Sequence, residues 1–230
     1  RPSDDLASVP IRSWGPVYFA SLSSQPPFRD WIRPLHAWLG FLDASKLVPD
    51  PDAERRYVVN ANWKLYLDNY LEGFHIPTVH KGLLSSLDVG GYRAECFEGG
   101  SLQIGMAAHG TPTLELDSSH PLFGQSVAAM YFHLFPNTLV NVYPWGVSIN
   151  RVNPMGLART EVIFARYVLN SDLLESGAGS DLHTVEMEDE AVVEATQRGI
   201  RSRLYTRGRY APQHEAAVHH FHRWWSARIG

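Results

Sequence analysis

Short apolar runs rich in β-branched and aromatic residues follow one another between residues 92 and 169. Turn-forming sequences such as Pro136-Asn137 and Pro144-Trp145-Gly146 separate these runs. Strands that are joined by short turns lie antiparallel. The pattern therefore predicts an antiparallel meander with strands at 101–108, 128–135, 138–143, 146–152 and 160–169.

Helical patterns lie on both sides of this strand-rich region. Residues 182–200 contain neither Gly nor Pro before Gly199 and predict a long helix, and residues 211–228 predict another. Strands followed by long helices are typical of an α+β fold, in which a helix packs on one face of a curved antiparallel sheet. Before the meander, the pattern indicates a short strand pair at 10–21, one or two helices at 28–47, a strand at 56–60, a helix at 63–75 and an irregular or helical segment at 80–89.

The predicted helix at 63–75 has an apolar face and a polar stripe, and a stripe of this kind is ordinarily a solvated surface. His80 argues for more, because it follows His75 by five residues and Pro77 lies between them. If the helix ends near His75, the next turn brings His80 back toward it and two imidazoles converge on one ion. The apolar face comprises Leu67, Tyr70, Leu71 and Phe74, and the stripe comprises Asp68, Asn69, Glu72 and His75.

A carboxylate could complete such a site. Two histidines and one carboxylate form the facial arrangement of ferrous oxygenases, although imidazoles also bind zinc, nickel or copper. Asp189 is a candidate, because spacing places it on one helical face with Val192, Val193 and Thr196. An acid on an apolar face is costly to bury unless it is paired or binds a metal. Alternatively, the acids of this helix simply stabilise its N-terminus, and spacing alone leaves both interpretations open.

Four separated segments resemble one protein family in the same order along most of the chain. The segments resemble the catalytic domain of the Rieske non-haem iron oxygenases. This family comprises the large subunits of ring-hydroxylating oxygenases. The segments are Asn62-Trp63-Lys64 with Asp68 through His75 and His80; Phe135-Pro136-Asn137 with Asn141 through Trp145; Glu188-Asp189 with Glu194 and Gln197-Arg198-Gly199; and Gly208 through Pro212 with His219-His220-Phe221-His222.

The resemblance implies a mononuclear ferrous site with the ligands His75, His80 and Asp189. Glu72 matches the carboxylate that in the family links this site to a Rieske cluster on the neighbouring subunit of a homotrimer. Many members have Asp there, so Glu72 is longer by one methylene. Asn69 matches a residue close to the iron, and both are candidate catalytic residues. The implied fold is the helix-grip type, a curved antiparallel sheet wrapped on a long C-terminal helix.

The chain has 230 residues and one cysteine. A single thiol excludes a disulfide within the chain and an iron–sulfur cluster bound by this chain alone. The implied iron would therefore receive electrons from a Rieske 2Fe–2S cluster in trans, with a ferredoxin-type donor and a reductase. Residues 9–19 resemble the end of the family's Rieske domain. We accordingly expect a truncated chain with a lead-in at 1–50 and a catalytic domain at 51–230.

Charge and hydropathy exclude several classes of partner. The formal charge is −4 and the basic residues are scattered, so neither nucleic acid nor an anionic membrane surface is an expected partner. No apolar run approaches the roughly 18 residues of a membrane span. Nothing at the start of the chain is typical of a signal peptide, and a cytoplasmic location is the expectation.

Other side chains have an ordinary structural interpretation beside a functional one. Phe132, Tyr143 and Trp145 are candidates for a substrate pocket, yet they would look the same as sheet core. Cys96 is expected to be a buried, inert thiol. Three C-terminal histidines resemble a metal cluster in composition, but packing and capping are the favoured roles for His219, His220 and His222.

The leading hypothesis is an oxygenase that inserts oxygen from dioxygen into an aromatic or amine substrate, by hydroxylation, dihydroxylation or demethylation. An aromatic pocket accepts an aromatic ring or, through cation–π contacts, a quaternary ammonium group. The C-terminal motif resembles choline and related amine monooxygenases of the family, and also members acting on aromatic acids. The alternatives are a non-catalytic module that binds apolar ligands and a hydrolase in which zinc activates water.

Overall fold

The structure, a computed structural model, describes residues 8–22 and 26–229. The strands are β1 (Ile11–Trp14), β2 (Val17–Ala20), β3 (Val48–Val59), β4 (Leu87–Phe97), β5 (Gly100–Ala107), β6 (Val127–Leu134), β7 (Thr138–Tyr143), β8 (Gly146–Gly156) and β9 (Arg159–Val168). The α-helices are α1 (Phe28–Trp31), α2 (Arg33–Trp38), α3 (Trp63–Tyr70), α4 (Ile76–Val79), α5 (Leu182–Gly199) and α6 (Ala216–Ile229).

Strands β3 to β9 form one antiparallel sheet in the order β3-β9-β8-β7-β6-β5-β4, and β1 pairs with β2 in a separate hairpin. Strands β5 to β9 follow one another both along the chain and across the sheet. The predicted α+β class and the antiparallel meander are therefore confirmed. The helix-grip description of the fold stays a prediction.

Strand β4 begins within the segment 80–89, for which the sequence pattern indicated irregular or helical structure, and extends to Phe97, over residues for which no strand was predicted. It lies at one edge of the sheet and pairs with β5 alone. Asp88, Arg93 and Glu95 are exposed along it. Because an edge strand does not need an apolar side chain at every inward position, its sequence lacks the continuous apolar run of the central strands.

Helix α3 is shorter than predicted, since it ends at Tyr70 and not near His75. Phe74, expected on the apolar face of that helix, is instead 57% exposed, and its ring stacks on the imidazole of His214 with centroids 5.1 Å apart. The early end of α3 gives the segment that carries His75 a loop conformation.

Both faces of the sheet are buried. On one face, the N-terminal hairpin and α2 pack against β5, β6, β7 and β8, with Trp14, Leu35 and Phe132 in the same cluster. On the other face, α3, α5 and α6 enclose a second cluster that includes Leu67 and Phe221. Helix α5 packs against α3 and β3, whereas α6 packs against β4 and β5. The space between α3, α5 and the sheet is where the functional side chains meet.

No helix in the described part of the chain has the length and apolar character needed to cross a bilayer.

Candidate metal centre

The turn after α3 positions His75. The Glu72 carboxylate accepts hydrogen bonds from the backbone amides of Phe74 and His75, at 2.5 and 3.1 Å, and so closes a tight turn. Gly73 fits this turn because a Cβ there would lie 2.4 Å from the ring of Tyr92. The other Glu72 oxygen, Oε1, lies 2.5 Å from His75 Nδ1. The same side chain therefore shapes the loop and orients the imidazole.

The short helix α4 returns His80 to His75. His75 precedes its first residue, and Pro77 occupies its first turn, where the missing amide hydrogen costs nothing. The two Nε2 atoms of His75 and His80 are 3.1 Å apart. His80 is only 1% exposed. The structure thus brings together the two histidines that the sequence places on either side of Pro77.

Asp189 on α5 reaches the same point. Its Oδ1 lies 3.0 Å from His80 Nε2 and 3.4 Å from His75 Nε2. Ligand atoms about 2.1 Å from a metal ion lie about 3.0 Å apart at right angles and about 3.4 Å apart in a tetrahedron. Among the described residues, these three side chains form a group that could hold a metal ion, with donor atoms all within 4.8 Å of one another. They fit one ion and leave positions open for further ligands.

Partner side chains orient each member of this cluster. Glu188 Oε2 lies 2.7 Å from His80 Nδ1, and Glu72 Oε1 makes the equivalent contact with His75 Nδ1. A proton on each Nδ1 leaves the Nε2 lone pair facing the centre. Asn69 Nδ2 donates to Asp189 Oδ1 at 2.6 Å. Such outer partners hold metal ligands in place, so the donor set has the supporting contacts expected of a metal centre.

The charges of the cluster favour a cation. Burial acts to lower the pKa of His75, but hydrogen bonds and charge from Asp189 and Glu72 outweigh it and raise the pKa to about 9. Burial likewise acts to raise the pKa of Asp189, but hydrogen bonds from His75 and His80 hold it below its usual value. The carboxylates thus stabilise positive charge at the imidazoles, which a divalent ion would supply.

A cavity of about 100 Å³ adjoins the three side chains. Its walls combine aromatic rings from α3 and the sheet with amides and carboxyl groups. Tyr131 and Tyr143 contact each other edge to face, with ring centroids 5.9 Å apart. Apart from His75, His80 and Asp189, the lining comprises Tyr66, Asn69, Tyr70, Glu72, Ile76, Leu83, Tyr92, Gln103, Tyr131, Asn141, Tyr143, Asn150, Phe164, Ala178, Leu182, Val185 and Glu186.

The structure corrects two of the three expected pocket residues. Tyr143 lines the cavity. Phe132 does not, because it alternates with Tyr131 along β6 and points into the cluster on the opposite face of the sheet. Trp145 stacks behind Tyr143, with centroids 5.1 Å apart, and its indole donates to the Gly179 carbonyl at 3.2 Å. It supports the wall without lining it.

Helix α5 turns a different face inward from the one expected. Thr196 is exposed, whereas Val193 and Gln197 are buried. Glu186 lies on this inward face at 2% exposure, lines the cavity and accepts a hydrogen bond of 2.7 Å from Tyr66. The hydrophobic pattern of α5 did not indicate an inward position for Glu186. Its spacing of three residues before Asp189, on the same helical face, was the available signal.

Two remaining expectations have clear outcomes. His220 and His222 make structural contacts, as expected: His220 Nε2 lies 2.8 Å from the Phe97 carbonyl, and His222 Nε2 lies 2.7 Å from Asp68. Cys96 is exposed, so the prediction of a buried thiol was wrong. It lies near the end of edge strand β4, where both Cys96 and the adjacent Glu95 are exposed.

Comparison with known proteins identifies the family. The profile described as ring hydroxylating alpha subunit (catalytic domain) matches residues 50–230. The chain belongs to this family. Its resemblance to Rieske oxygenase catalytic domains is therefore confirmed.

Curated relatives of the chain include choline and carnitine monooxygenases. The chain is 37% identical to the chloroplastic choline monooxygenase of Arabidopsis thaliana over 73% of its own length and 39% of that protein. It is 29% identical to the choline monooxygenase of Atriplex hortensis, over 96% of the chain and 51% of the relative. It is also 30% identical to the carnitine monooxygenase oxygenase subunit of Acinetobacter pittii, over 70% and 44% respectively. The chain thus spans about half the length of these relatives or less.

Solved structures share the fold. A crystal structure of the quaternary ammonium Rieske monooxygenase CntA with an inhibitor superposes with a TM-score of 0.71 at 22% identity, covering 96% of this chain and 60% of that one. Naphthalene 1,2-dioxygenase from Rhodococcus sp. superposes with a TM-score of 0.70 at 17% identity, covering 95% and 65%. At these identities the likeness establishes the common architecture.

Proposed function

We propose that this catalytic domain is the oxygen-inserting part of a monooxygenase that acts on a small quaternary ammonium compound. The observation that carries the proposal is the junction of a two-histidine, one-carboxylate cluster with a tyrosine-walled, acidic cavity. Membership of the ring-hydroxylating family and similarity to choline monooxygenases support the same reaction class.

In this proposal His75, His80 and Asp189 hold a mononuclear ferrous ion. Two imidazoles and one carboxylate are the donor set of non-haem ferrous oxygenases, and the distances between their donor atoms suit one ion. The bound iron would supply the activation of dioxygen. Asn69 and Glu188 keep the ligands oriented through their hydrogen bonds. The tyrosine walls exclude water and hold the substrate beside the cluster.

The lining of the cavity favours a cation that carries no carboxylate. Among the described residues, neither Lys nor Arg lines it, whereas Glu72, Glu186 and Asp189 do. An anionic group would meet these carboxylates without a basic partner, and like charges in a shielded site repel strongly. Tyrosine faces attract an alkylammonium group through cation–π contacts. Choline is therefore the expected substrate type, in preference to carnitine.

The size of the cavity favours the same class. Its volume is about 100 Å³, whereas an apolar cavity of about 150 Å³ binds benzene. A trimethylammonium group suits this space better than a fused aromatic ring system. The sequence left aromatic and amine substrates open, and the cavity together with the similarity to choline and carnitine monooxygenases supports the amine.

Electron supply defines the partners in this proposal. One cysteine cannot hold a 2Fe–2S cluster, so a Rieske centre outside the chain, fed by a ferredoxin-type donor and a reductase, would reduce the iron. Glu72 is the proposed link to that centre across a subunit boundary of a homotrimer. Both its oxygens already contact its own turn, so a bridge would add to these hydrogen bonds. Residues 1–50 are the proposed junction with the Rieske domain, ahead of a catalytic domain at 51–230.

The test combines metal analysis with turnover. Protein purified anaerobically should contain about one iron per chain, and His80→Ala should lose it, while His219→Ala serves as a control histidine remote from the cluster. With a Rieske protein, reductase and labelled dioxygen supplied, mass spectrometry should detect one labelled oxygen atom in the product from choline. Carnitine should react more slowly.

Other outcomes would select the alternatives. Stoichiometric zinc with hydrolytic activity, and no oxygen incorporation, would indicate a hydrolase. Protein that binds choline without holding a metal would indicate a ligand-binding module. Retention of stoichiometric iron by His80→Ala would contradict the proposed ligands.

A further inference from the structure

Glu186 is a buried acid in the cavity that has no individual role in the proposed mechanism. It lies on α5 one turn before Asp189 and is 2% exposed. Its Oε2 accepts a hydrogen bond from the Tyr66 hydroxyl at 2.7 Å. Its Oε1 has no hydrogen-bond partner among the described residues, although it is shielded from solvent. Half of this carboxyl group is therefore unsatisfied at the wall of a ligand cavity.

An unsatisfied buried carboxyl oxygen is costly unless it serves a ligand. A polar atom buried without a partner loses its hydrogen bonds to water and gains none in return. Burial also raises the pKa of Glu186 well above its usual range, with a contribution in the same direction from Asp189, while the Tyr66 hydrogen bond opposes it. A purely structural link between α3 and α5 needs only one acceptor, which a neutral amide could provide. The charge of the Glu186 carboxylate and its unpaired Oε1 therefore indicate a positively charged partner.

A permanent cation is the partner that the surroundings suit. A quaternary ammonium group has no N–H to donate, so its recognition depends on negative charge and aromatic faces nearby. Tyr66, Tyr70 and Phe164 line the same cavity as Glu186. None of the described lining residues is a lysine or an arginine that would neutralise the carboxylate.

We propose that Glu186 is the specificity-determining residue that binds the cationic nitrogen of the substrate, so that the site selects permanently charged alkylammonium compounds over neutral molecules of the same shape. This inference rests on the proposed function. The inference deepens that function by assigning recognition of the positive charge to Glu186, a side chain outside the proposed metal ligands. Because Glu186 precedes Asp189 by one turn, a cation held there lies next to the metal cluster.

The test compares choline with 3,3-dimethylbutan-1-ol, in which carbon replaces the charged nitrogen. Isothermal titration calorimetry on metal-loaded protein gives the dissociation constant of each ligand. Wild type should prefer choline. In Glu186→Gln, which keeps the Tyr66 contact, the dissociation constant of choline should rise at least about tenfold. That of the neutral alcohol should change less than about twofold.

Matched variants keep the result interpretable. Glu190→Gln removes an acid one turn further along α5 and should leave the preference for choline intact. Glu186→Met replaces the acid with an apolar side chain of similar length and serves if Glu186→Gln folds poorly, as circular dichroism would reveal. It should lose the preference as well. Metal content measured in each variant checks that the cluster is intact.

Two failures are distinguishable. If wild type binds neither choline nor tetramethylammonium, the proposed function fails and this inference falls with it. If wild type prefers choline and both Glu186 variants keep that preference, the inference alone is overturned. An equal weakening of choline and of the neutral alcohol would also overturn it, because that result indicates a structural role.

Discussion

Glu188 holds His80 through a hydrogen bond, with 2.7 Å between the glutamate Oε2 and the imidazole Nδ1. The next residue, Asp189, contacts the opposite nitrogen of the same ring at 3.0 Å. Two consecutive acids of α5 therefore contact the two nitrogens of one imidazole. The first sets the orientation of the ring, and the second shares with it the proposed metal position.

Glu188→Gln should weaken iron binding by about 10–100-fold, the effect typical of losing an outer partner of a ligating histidine. The amide is a poorer acceptor for the imidazole N–H than the carboxylate it replaces. Competition for ferrous iron against a chelator of known affinity measures the loss. Glu190→Gln is the control, since it changes the neighbouring charge and leaves the His80 contact in place. Unchanged iron affinity in Glu188→Gln would contradict a positioning role.

Tyr66→Phe should destabilise the fold by about 1–3 kcal/mol, because it leaves the buried Glu186 carboxyl without its one hydrogen-bond partner among the described residues. Urea unfolding followed by circular dichroism gives the change in the free energy of unfolding. Tyr18→Phe makes the same chemical change at a hydroxyl-bearing ring that is 76% exposed, and it should have an effect near zero. Similar losses in the two variants would refute this explanation.

His133 should make the fold sensitive to acid. Burial lowers its pKa from 6.5 to about 4, with His220 nearby acting in the same direction and the Pro136 carbonyl opposing. Below pH 6.5 His133 becomes protonated in the unfolded chain, whereas in the folded chain it stays neutral until about pH 4. Stability should therefore fall by about 3 kcal/mol between these values.

His133→Gln checks this origin of acid sensitivity. The variant lacks the titrating ring, so the difference in unfolding free energy between wild type and variant should shift by about 3 kcal/mol in favour of the variant from pH 6.5 to pH 4. Carboxylates titrate in both proteins, and the difference removes their common contribution. A difference that stays constant with pH would exclude His133 as the cause.

Gly179→Ala should disturb the cavity wall. A Cβ at this position would lie 2.5 Å from Trp145 Nε1 and 2.7 Å from the ring of Tyr143. Such overpacking typically costs about 1–3 kcal/mol, and displacement of Tyr143 should also weaken choline binding. Thermal unfolding and calorimetry measure the two effects. At Gly82 a Cβ meets no atom within 4 Å, so Gly82→Ala provides the control.

The central sheet is predictable from sequence because its strands are apolar and are separated by short turn signals. The two histidines of the site are predictable as a pair for a local reason, since Pro77 between them argues against one continuous helix. In the structure they flank the short helix α4, which has Pro77 in its first turn. Asp189 is distant in sequence, and spacing left its role open. The resemblance to an oxygenase family singled it out, and the fold of α5 against α3 brings it to the histidines.

The cavity walls were less predictable. Strand β6 is buried on nearly every residue, so its sequence shows no alternation that would assign Tyr131 and Phe132 to opposite faces. The end of α3 at Tyr70 depends on the carboxylate of Glu72 capping the following turn, a contact that a hydrophobic pattern does not report. The rotation of α5 about its own axis likewise determines that Glu186 faces inward, and the sequence pattern does not reveal that rotation.

Helix α5 carries Glu186, Glu188 and Asp189 within little more than one turn. A rigid helix cannot move one of these side chains without moving the others, so any sliding or rotation that reshaped the cavity would also displace a metal-ligating oxygen. Substitutions that change ligand preference without disturbing the proposed metal site should therefore be sought on the opposite wall, where Tyr131 and Tyr143 lie on the sheet. The acidic side of the cavity and the proposed metal position are thus coupled through one helix, whereas the tyrosine side belongs to the sheet.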